Sequence, residues 1–310
     1  MGMTILVTGA NGFVGKNIVA SLSNIADTKI VATDLQGMLQ KTDETNTDAV
    51  TYLEGDHASK EFTASLQDGY RFDAIIHLAA VLSQAEDMQT YYSVMDSNIY
   101  TTFLLLETAR QHNARILFPS TAMVYGDKKA PFSEDMRSDP EIFYALSKHL
   151  SEELIRFYGR KYDLGYVIFR IGILYGQWQS QGMFVPTIIT KLLQGEEFKM
   201  TPGEQVRDFV HIDDFVEAVK KALAAKDVCG ELNIGTGHAP SMKEMATTVE
   251  RLTGVEGKVK IGAIPYRENE LWEYRLDITH TQKVLGWQPG VSLEDGLRKT
   301  IDHYKSRMTL

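Results

Sequence analysis

The sequence of 310 residues contains a single cysteine, Cys229. One cysteine cannot form a disulfide within the chain, and this favours a reducing compartment such as the cytoplasm. A lone thiol also cannot build a cysteine-based metal cluster. We therefore expect a cytoplasmic protein without a bound metal.

The sequence also lacks an excess of positive charge, because 32 lysine and arginine residues face 41 aspartate and glutamate residues, giving a net charge of −9. Nucleic acids and anionic membranes need a basic face to neutralise their phosphates. Runs of about 18 apolar residues are missing, as is a basic start followed by a long apolar stretch. We therefore expect a protein that binds neither nucleic acid nor membranes and that carries no leader sequence.

The first half of the chain alternates short β-branched runs with helical stretches. Such alternation predicts parallel strands joined by right-handed crossovers, with helices on both faces of one sheet. The predicted strands are 5–8, 29–33, 50–53, 74–78, 115–119 and 166–171. We predict an α/β fold with a Rossmann-type doubly wound parallel sheet.

Beyond residue 173 the pattern loosens, and helical periodicity returns at 183–194, 213–225, 241–252 and 293–304. This part predicts a smaller α/β lobe. We place a first domain at 1–172 and a second at 173–310, and we expect the chain to cross between them rather than divide cleanly.

A glycine-rich segment, 9–15, directly follows the first strand and opens a helix. Glycines at this position permit a tight turn and a close backbone approach to a pyrophosphate, and Gly15 permits close packing of helix and strand. An ordinary glycine-rich loop is the alternative. The second strand, which ends at Asp34 about 20 residues later, favours a dinucleotide site.

Asp34 also bears on the choice of cofactor. A carboxylate at the end of the second strand accepts the ribose hydroxyls of NAD and repels the 2′-phosphate of NADP. We therefore predict NAD. NADP is the alternative if a lysine such as Lys41 offsets that repulsion.

The predicted catalytic residues are Thr121, after the fifth strand, and Tyr144 with Lys148 on a helix. A spacing of four residues places the Lys148 ammonium beside the Tyr144 phenol, and such pairing favours the phenolate. Lowering the pKa of a tyrosine by about three units requires about 4 kcal/mol. Tyr144 would then be a general acid or base, with Thr121 bonded to the same oxygen. Alone, a Tyr-x-x-x-Lys pair is more typical of a surface helix.

Together these features resemble the extended short-chain dehydrogenases/reductases, specifically the NAD-dependent epimerase/dehydratase family of nucleotide-sugar enzymes. The resemblance covers nearly the whole chain. Further matching segments are 55–56, 77–80, 124–126, 207–214, 233–235 and 285–289. It implies that the first domain binds NAD and that the second binds a nucleotide sugar.

The resemblance also implies a set of cofactor contacts. These are Gly9, Asn11, Gly12, Phe13, Val14, Gly15, Asp34, Leu35, Asp56, His57, Leu78, Ala79, Ala80, Asn98, Tyr144 and Lys148. Asp56 would contact adenine, although it could instead cap the helix near Ser59. Ala79 and Ala80 would line the cofactor, although they could simply pack on the sheet.

The substrate contacts that the resemblance implies are Thr121, Arg207, Arg267 and Glu270. Arg207 and Arg267 would hold phosphate, a role that suits a planar and always charged fork. Glu270 would hold the nucleotide ribose.

Two departures from the family pattern affect the expected reaction. Ile173 and Met183 replace asparagines that many epimerases use for the diphosphate, and Ala122-Met123 replaces the Asp-Glu pair of the 4,6-dehydratases. Dehydration is therefore disfavoured. We predict a 4-keto-6-deoxy-sugar nucleotide reductase, with a UDP-glucose-type 4-epimerase holding NAD tightly as the alternative. A redox-sensing regulator that binds the dinucleotide without turnover is a third, disfavoured hypothesis, because the predicted catalytic residues are all present.

The resemblance also implies a homodimer, because members of this family usually pair by packing two long helices from each subunit into a four-helix bundle. The candidate helices are 90–112 and 142–162. Their apolar side chains are Phe103, Leu104, Leu105, Leu106, Leu146, Leu150, Leu154, Ile155 and Phe157. The alternative is that all of them pack within one monomer.

Overall fold

The computed structural model describes residues 2–39, 42, 44–83, 85–268 and 270–308. The chain forms two compact units, each assembled from three segments. The first comprises Met1–Gly126, Asp135–Arg170 and Ala218–Leu232, and the second Asp127–Glu134, Ile171–Glu217 and Asn233–Leu310. Lys41, which was considered as support for NADP, lies outside the described residues.

Thirteen strands occur in the described part of the chain. They are β1 (Met3–Thr8), β2 (Thr28–Asp34), β3 (Val50–Glu54), β4 (Ala74–His77), β5 (Arg115–Thr121), β6 (Tyr166–Ile171), β7 (Ile173–Tyr175), β8 (Phe198–Lys199), β9 (Val206–Arg207), β10 (Phe209–His211), β11 (Gly230–Ile234), β12 (Val259–Lys260) and β13 (Glu273–Tyr274). Seven of them form one sheet in the order β11-β6-β5-β4-β1-β2-β3.

The sheet is mostly parallel, and the predicted doubly wound fold is confirmed. β1 pairs in parallel with both β2 and β4, so the strand order reverses beside it. In sheets of this kind, ligands bind at the carboxyl ends of the strands next to such a reversal. The middle of β1 is buried at Ile5, Leu6 and Val7, as expected for a sheet covered on both faces. The prediction missed β11.

The helices of the described residues are α1 (Phe13–Leu22), α2 (Lys60–Gly69), α3 (Met88–Val94), α4 (Thr101–His112), α5 (Phe143–Tyr162), α6 (Phe184–Leu193), α7 (Ile212–Ala224), α8 (Met242–Thr253), α9 (Thr279–Leu285) and α10 (Leu293–Met308). A π-helical segment, Met95–Tyr100, joins α3 to α4, so the helix predicted at 90–112 is not uniformly α-helical. In the described part of the chain, every helix is too short or too polar to cross a membrane.

Each unit has its own apolar core. In the first unit, Leu6 of β1 and Ile116 of β5 pack with Leu105 of α4 and Ile155 of α5. In the second unit, α6, α8 and α10 bury their apolar faces on one another, for example through Ile189. Burying such side chains contributes about 1.5 to 3 kcal/mol each and so fixes the helices that carry polar groups.

Candidate active site

In the glycine-rich loop after β1, the backbone segments lie so close together that side chains larger than glycine do not fit. Gly9 has a φ of +66°, and a Cβ added to it would lie 2.7 Å from the Ala79 amide nitrogen. A Cβ on Gly15 would lie 2.2 Å from the Gly9 carbonyl oxygen. These contacts explain why the loop requires glycine at both positions.

The start of α1 suits an anion. Its N-cap is Gly12, which provides no side-chain cap, and its first turn carries no acidic residue among the described side chains. The first backbone N–H groups of a helix lack partners within the helix and attract phosphate. The loop therefore fits the pyrophosphate of a dinucleotide.

Asp34 lies at the end of β2, beside this loop. Its Oδ2 accepts a hydrogen bond from the Asn11 amide at 2.8 Å, and its Oδ1 accepts one from the Leu35 amide at 2.8 Å. The buried Oδ1 atom of Asn11 has no hydrogen-bond partner within the described residues. An unsatisfied buried oxygen beside a fixed carboxylate is consistent with a site that a polar ligand completes.

Asp56 and His57 follow β3 and differ in their surroundings. Asp56 is exposed and accepts from the Ala58 amide at 2.9 Å, whereas Ser59 is the N-cap of α2. The alternative that Asp56 caps this helix is therefore wrong. His57 is buried against Thr33, with 2.6 Å between Nε2 and the hydroxyl, and burial lowers its pKa to about 4.

A buried chain of hydrogen bonds connects β1 to the helices. Thr8 Oγ1 accepts from the amides of Leu78 and Ala79, at 3.2 and 3.1 Å, so its proton goes to His77 Nδ1 at 3.0 Å. His77 Nε2 must then carry the hydrogen and donate to Thr102 Oγ1 at 3.1 Å. Burial holds the pKa of His77 well below its usual range, and the imidazole is neutral.

These hydrogen bonds continue through Asn98, in the π-helical segment, to α5. Thr102 donates to the Asn98 carbonyl oxygen at 2.5 Å. The Asn98 side chain donates to Ser147 Oγ at 2.9 Å, and Ser147 donates to the Tyr144 carbonyl oxygen at 2.7 Å. Asn98 therefore supports α5. Its predicted contact with the cofactor stays a prediction.

His77, Thr102 and Ser147 were given no role from the sequence. Each is a polar residue within an otherwise apolar strand or helix, and a buried polar group must find a partner. A polar residue in an apolar segment can therefore be predicted to be buried and hydrogen-bonded. The sequence does not identify the partners, because His77 and Thr102 are 25 residues apart in the chain, and Ser147 and Asn98 are 49 residues apart.

The three predicted catalytic residues lie in the first unit, on β5 and α5. Thr121 ends β5, and its Oγ1 accepts from the Met123 amide at 3.2 Å. Lys148 is buried, with Nζ 4.3 Å from the centre of the Phe118 ring, and burial lowers its pKa to about 7. Burial raises the pKa of Tyr144 to about 12. Desolvation alone therefore disfavours the phenolate, and the lowering of the tyrosine pKa that is expected from Lys148 and a bound nicotinamide ring stays a prediction.

Of the predicted substrate residues, Arg207, Arg267 and Glu270 lie in the second unit, whereas Thr121 lies in the first. Arg207 Nη2 donates to Glu270 Oε1 at 2.6 Å, and the two side chains are only 15% and 11% exposed. Arg267 is exposed. Ile173 pairs with Phe209 of β10, and Met183 precedes α6 with 43% of its surface exposed.

The model of the NAD-dependent epimerase/dehydratase family matches residues 5–235. This chain belongs to that family. Over 98% of the chain and 99% of the relative, it is 30% identical to a UDP-glucose 4-epimerase of Mycolicibacterium smegmatis. The family assignment and the prediction of an NAD-dependent enzyme of the extended short-chain type are confirmed.

Two solved structures show how closely the fold matches other members of this epimerase/dehydratase family. One is the UDP-glucose 4-epimerase of Thermotoga maritima with UDP-glucose, with a TM-score of 0.90, 28% identity, and coverage of 99% of this chain and 100% of that one. The other is the Thermus thermophilus UDP-glucose 4-epimerase complex with NAD, with a TM-score of 0.87, 26% identity, and coverage of 98% and 99%. The roles of individual site residues remain predictions.

Proposed function

We propose that the protein binds NAD in its first unit and uses it to oxidise and reduce C4 of a nucleotide sugar. The observation that carries this proposal is the placement of Thr121, Tyr144 and Lys148 on β5 and α5 of the unit that also holds the glycine-rich loop. The solved Thermus relative, which contains NAD, supports the cofactor assignment.

Each residue of the proposed site would have a distinct role in the reaction. NAD, when bound, supplies the hydride acceptor and donor. Tyr144 exchanges a proton with the C4 oxygen, and Thr121 donates a hydrogen bond to that oxygen. Lys148 stabilises the phenolate form of Tyr144, which burial alone disfavours. Asp34 accepts the ribose hydroxyls and so selects NAD over NADP.

We propose a 4-epimerase as the net reaction. The near full-length match to a UDP-glucose 4-epimerase supports it. The reductase predicted from the sequence is the second candidate, favoured by the apolar Ile173 and Met183 at positions where many epimerases carry asparagine. Ala122 and Met123 disfavour a dehydratase, because neither side chain can act as an acid or base. The cytoplasm is the proposed location, supported by the single cysteine, Cys229.

Product analysis separates the candidates. The purified protein is incubated with UDP-glucose, with UDP-glucuronate, and with a 4-keto-6-deoxy sugar nucleotide plus NADH. A 4-epimerase forms the C4-inverted sugar without net loss of NADH absorbance, whereas a reductase consumes one NADH for each product. Absence of turnover with every substrate, in protein shown to contain NAD, would contradict the proposed function.

A further inference from the structure

Glu152 is a fully buried carboxylate on α5, one turn after Lys148. Its Oε1 accepts from Ser120 Oγ at 2.5 Å and from Arg170 Nε at 3.3 Å. Its Oε2 accepts from Arg170 Nη2 at 2.8 Å and lies 3.4 Å from Arg156 Nη1. Both oxygens are thus engaged, as an ionised buried carboxylate requires.

These bonds join the elements that carry the proposed catalytic residues. Ser120 directly precedes Thr121 at the end of β5, and Arg170 lies near the end of β6. Glu152 itself follows Tyr144 and Lys148 on α5. One side chain therefore ties β5 and β6 to the catalytic helix.

Arg156 and Arg170 both pair with Glu152, but they differ in how many other carboxylates they contact. Arg156 also bonds Glu153 at 2.7 Å and Glu231 at 2.6 Å, so its charge is shared among three carboxylates. The guanidinium of Arg170 lies over the Tyr125 ring at 4.9 Å, and its Nη2 donates to Ser138 at 3.3 Å. Arg170 is therefore the main counter-charge of Glu152.

Lys148 is only 4% exposed. Burial lowers the pKa of its amine to about 7, and the negative charge of Glu152 opposes this effect. The neutral His77 on β4 also interacts electrostatically with Lys148, and Tyr144 precedes Lys148 by one turn of α5. Phe118 of β5 contacts the Lys148 amine through the face of its ring, with Nζ 4.3 Å from the ring centre.

We propose that Glu152 is a positioning residue, which fixes α5 against β5 and β6 and keeps the Lys148 amine protonated. This role rests on the proposed function of Tyr144 and Lys148. It assigns Glu152 no contact with substrate or cofactor.

The test compares Glu152→Gln with Glu153→Gln. Glu153 is the adjacent carboxylate, half exposed and paired with Arg156, so it is a matched control. NMR of protein labelled with ¹³C at the lysine Cε reports the titration of Lys148 directly, with the resonance assigned by Lys148→Arg. This readout requires neither substrate nor turnover, so failure of the proposed function leaves it intact.

The expected result is a fall of about one pH unit in the titration midpoint of Lys148 in Glu152→Gln and no change in Glu153→Gln. The alkaline limb of the pH profile of kcat should move to lower pH by the same amount. An unchanged midpoint in Glu152→Gln would overturn the electrostatic part of the proposal.

Ser120→Ala tests whether the Glu152 cluster positions α5 against β5. It removes one hydrogen bond and no charge, so it also serves if Glu152→Gln does not fold. The variant should show kcat reduced about threefold to tenfold, with an unchanged Lys148 midpoint. Wild-type kcat in this variant would contradict the proposal that the Glu152 cluster positions the catalytic residues.

Discussion

Tyr144 is half-buried, and the proposed catalytic role needs its ionised form. Burial raises its pKa to about 12, so in the protein alone the phenol is neutral at neutral pH. We expect Tyr144→Phe to lower turnover by roughly two to four orders of magnitude, because a positioned acid/base is lost. NAD binding, measured by calorimetry, should stay close to wild type. Turnover equal to wild type would remove Tyr144 from the mechanism.

Asp34 is held by the amides of Asn11 and Leu35, and this fixes its charge beside the glycine-rich loop. We expect the wild type to prefer NAD, and Asp34→Ala to narrow that preference because the repulsion of a 2′-phosphate is removed. Dissociation constants for both cofactors check this expectation. Tighter binding of NADP by the wild type would refute the role assigned to Asp34.

At the scale of elements, the six predicted strands and the long helix α5 could be found from the sequence because their apolar periodicity is regular. The strand Gly230–Ile234 was missed because it has five residues and mixes charged, polar and apolar side chains. The π-helical segment around Asn98 was missed because its apolar pattern resembles that of an α-helix. Both depend on tertiary contacts that local sequence does not encode.

The candidate site shows a similar division. The glycine loop, Asp34, Thr121, Tyr144 and Lys148 occur in a pattern that can be identified locally. The pairing of Arg207 with Glu270 joins side chains 63 residues apart, and sequence spacing does not predict such a contact. The tyrosine pKa also depends on burial, which follows from packing of the whole unit.

The burial of His57 makes the free energy of unfolding depend on pH. The pKa of His57 is about 4 in the folded protein, below the value near 6.5 of an unfolded chain. Below pH 6.5 the unfolded state therefore binds more protons, and stability falls as pH decreases towards 4, by about 3 kcal/mol from this group. Buried His77 acts in the same direction.

Urea denaturation at several pH values tests this dependence. His57→Gln should show a shallower loss of stability between pH 6.5 and 4 than the wild type. Replacement of the exposed His238 by Gln is the control and should leave the slope unchanged. Equal slopes in all three proteins would contradict the assignment of this effect to His57.

At the scale of the whole molecule, assembly remains a prediction. Leu104, Leu105, Leu106 and Ile155 are buried within the first unit, which fits the alternative of packing inside one monomer. Phe103 is 40% exposed on α4, and Leu150 and Phe157 are 39% and 48% exposed on α5. These three side chains provide apolar surface for a second copy.

We expect the wild type to be a dimer at micromolar concentration and Phe157→Glu to be a monomer, because a charge would be buried in the interface. Light scattering gives both masses. Ile25→Glu, at an exposed apolar residue outside α4 and α5, should remain dimeric. A monomeric wild type with full activity would contradict the dimer.

The central claim is hydride transfer at sugar C4, and isotope tracing tests it most directly. UDP-glucose that carries deuterium at C4 is incubated with the enzyme, and the product is examined by NMR and mass spectrometry. In parallel, a 4-keto sugar nucleotide is reduced with NADH deuterated on the nicotinamide ring. The account predicts deuterium at C4 of the product, retained through inversion in the first reaction or delivered from NADH in the second. Two results together would contradict this claim: no inversion at C4 of the deuterated UDP-glucose, and no deuterium at C4 of the sugar in the reaction with labelled NADH.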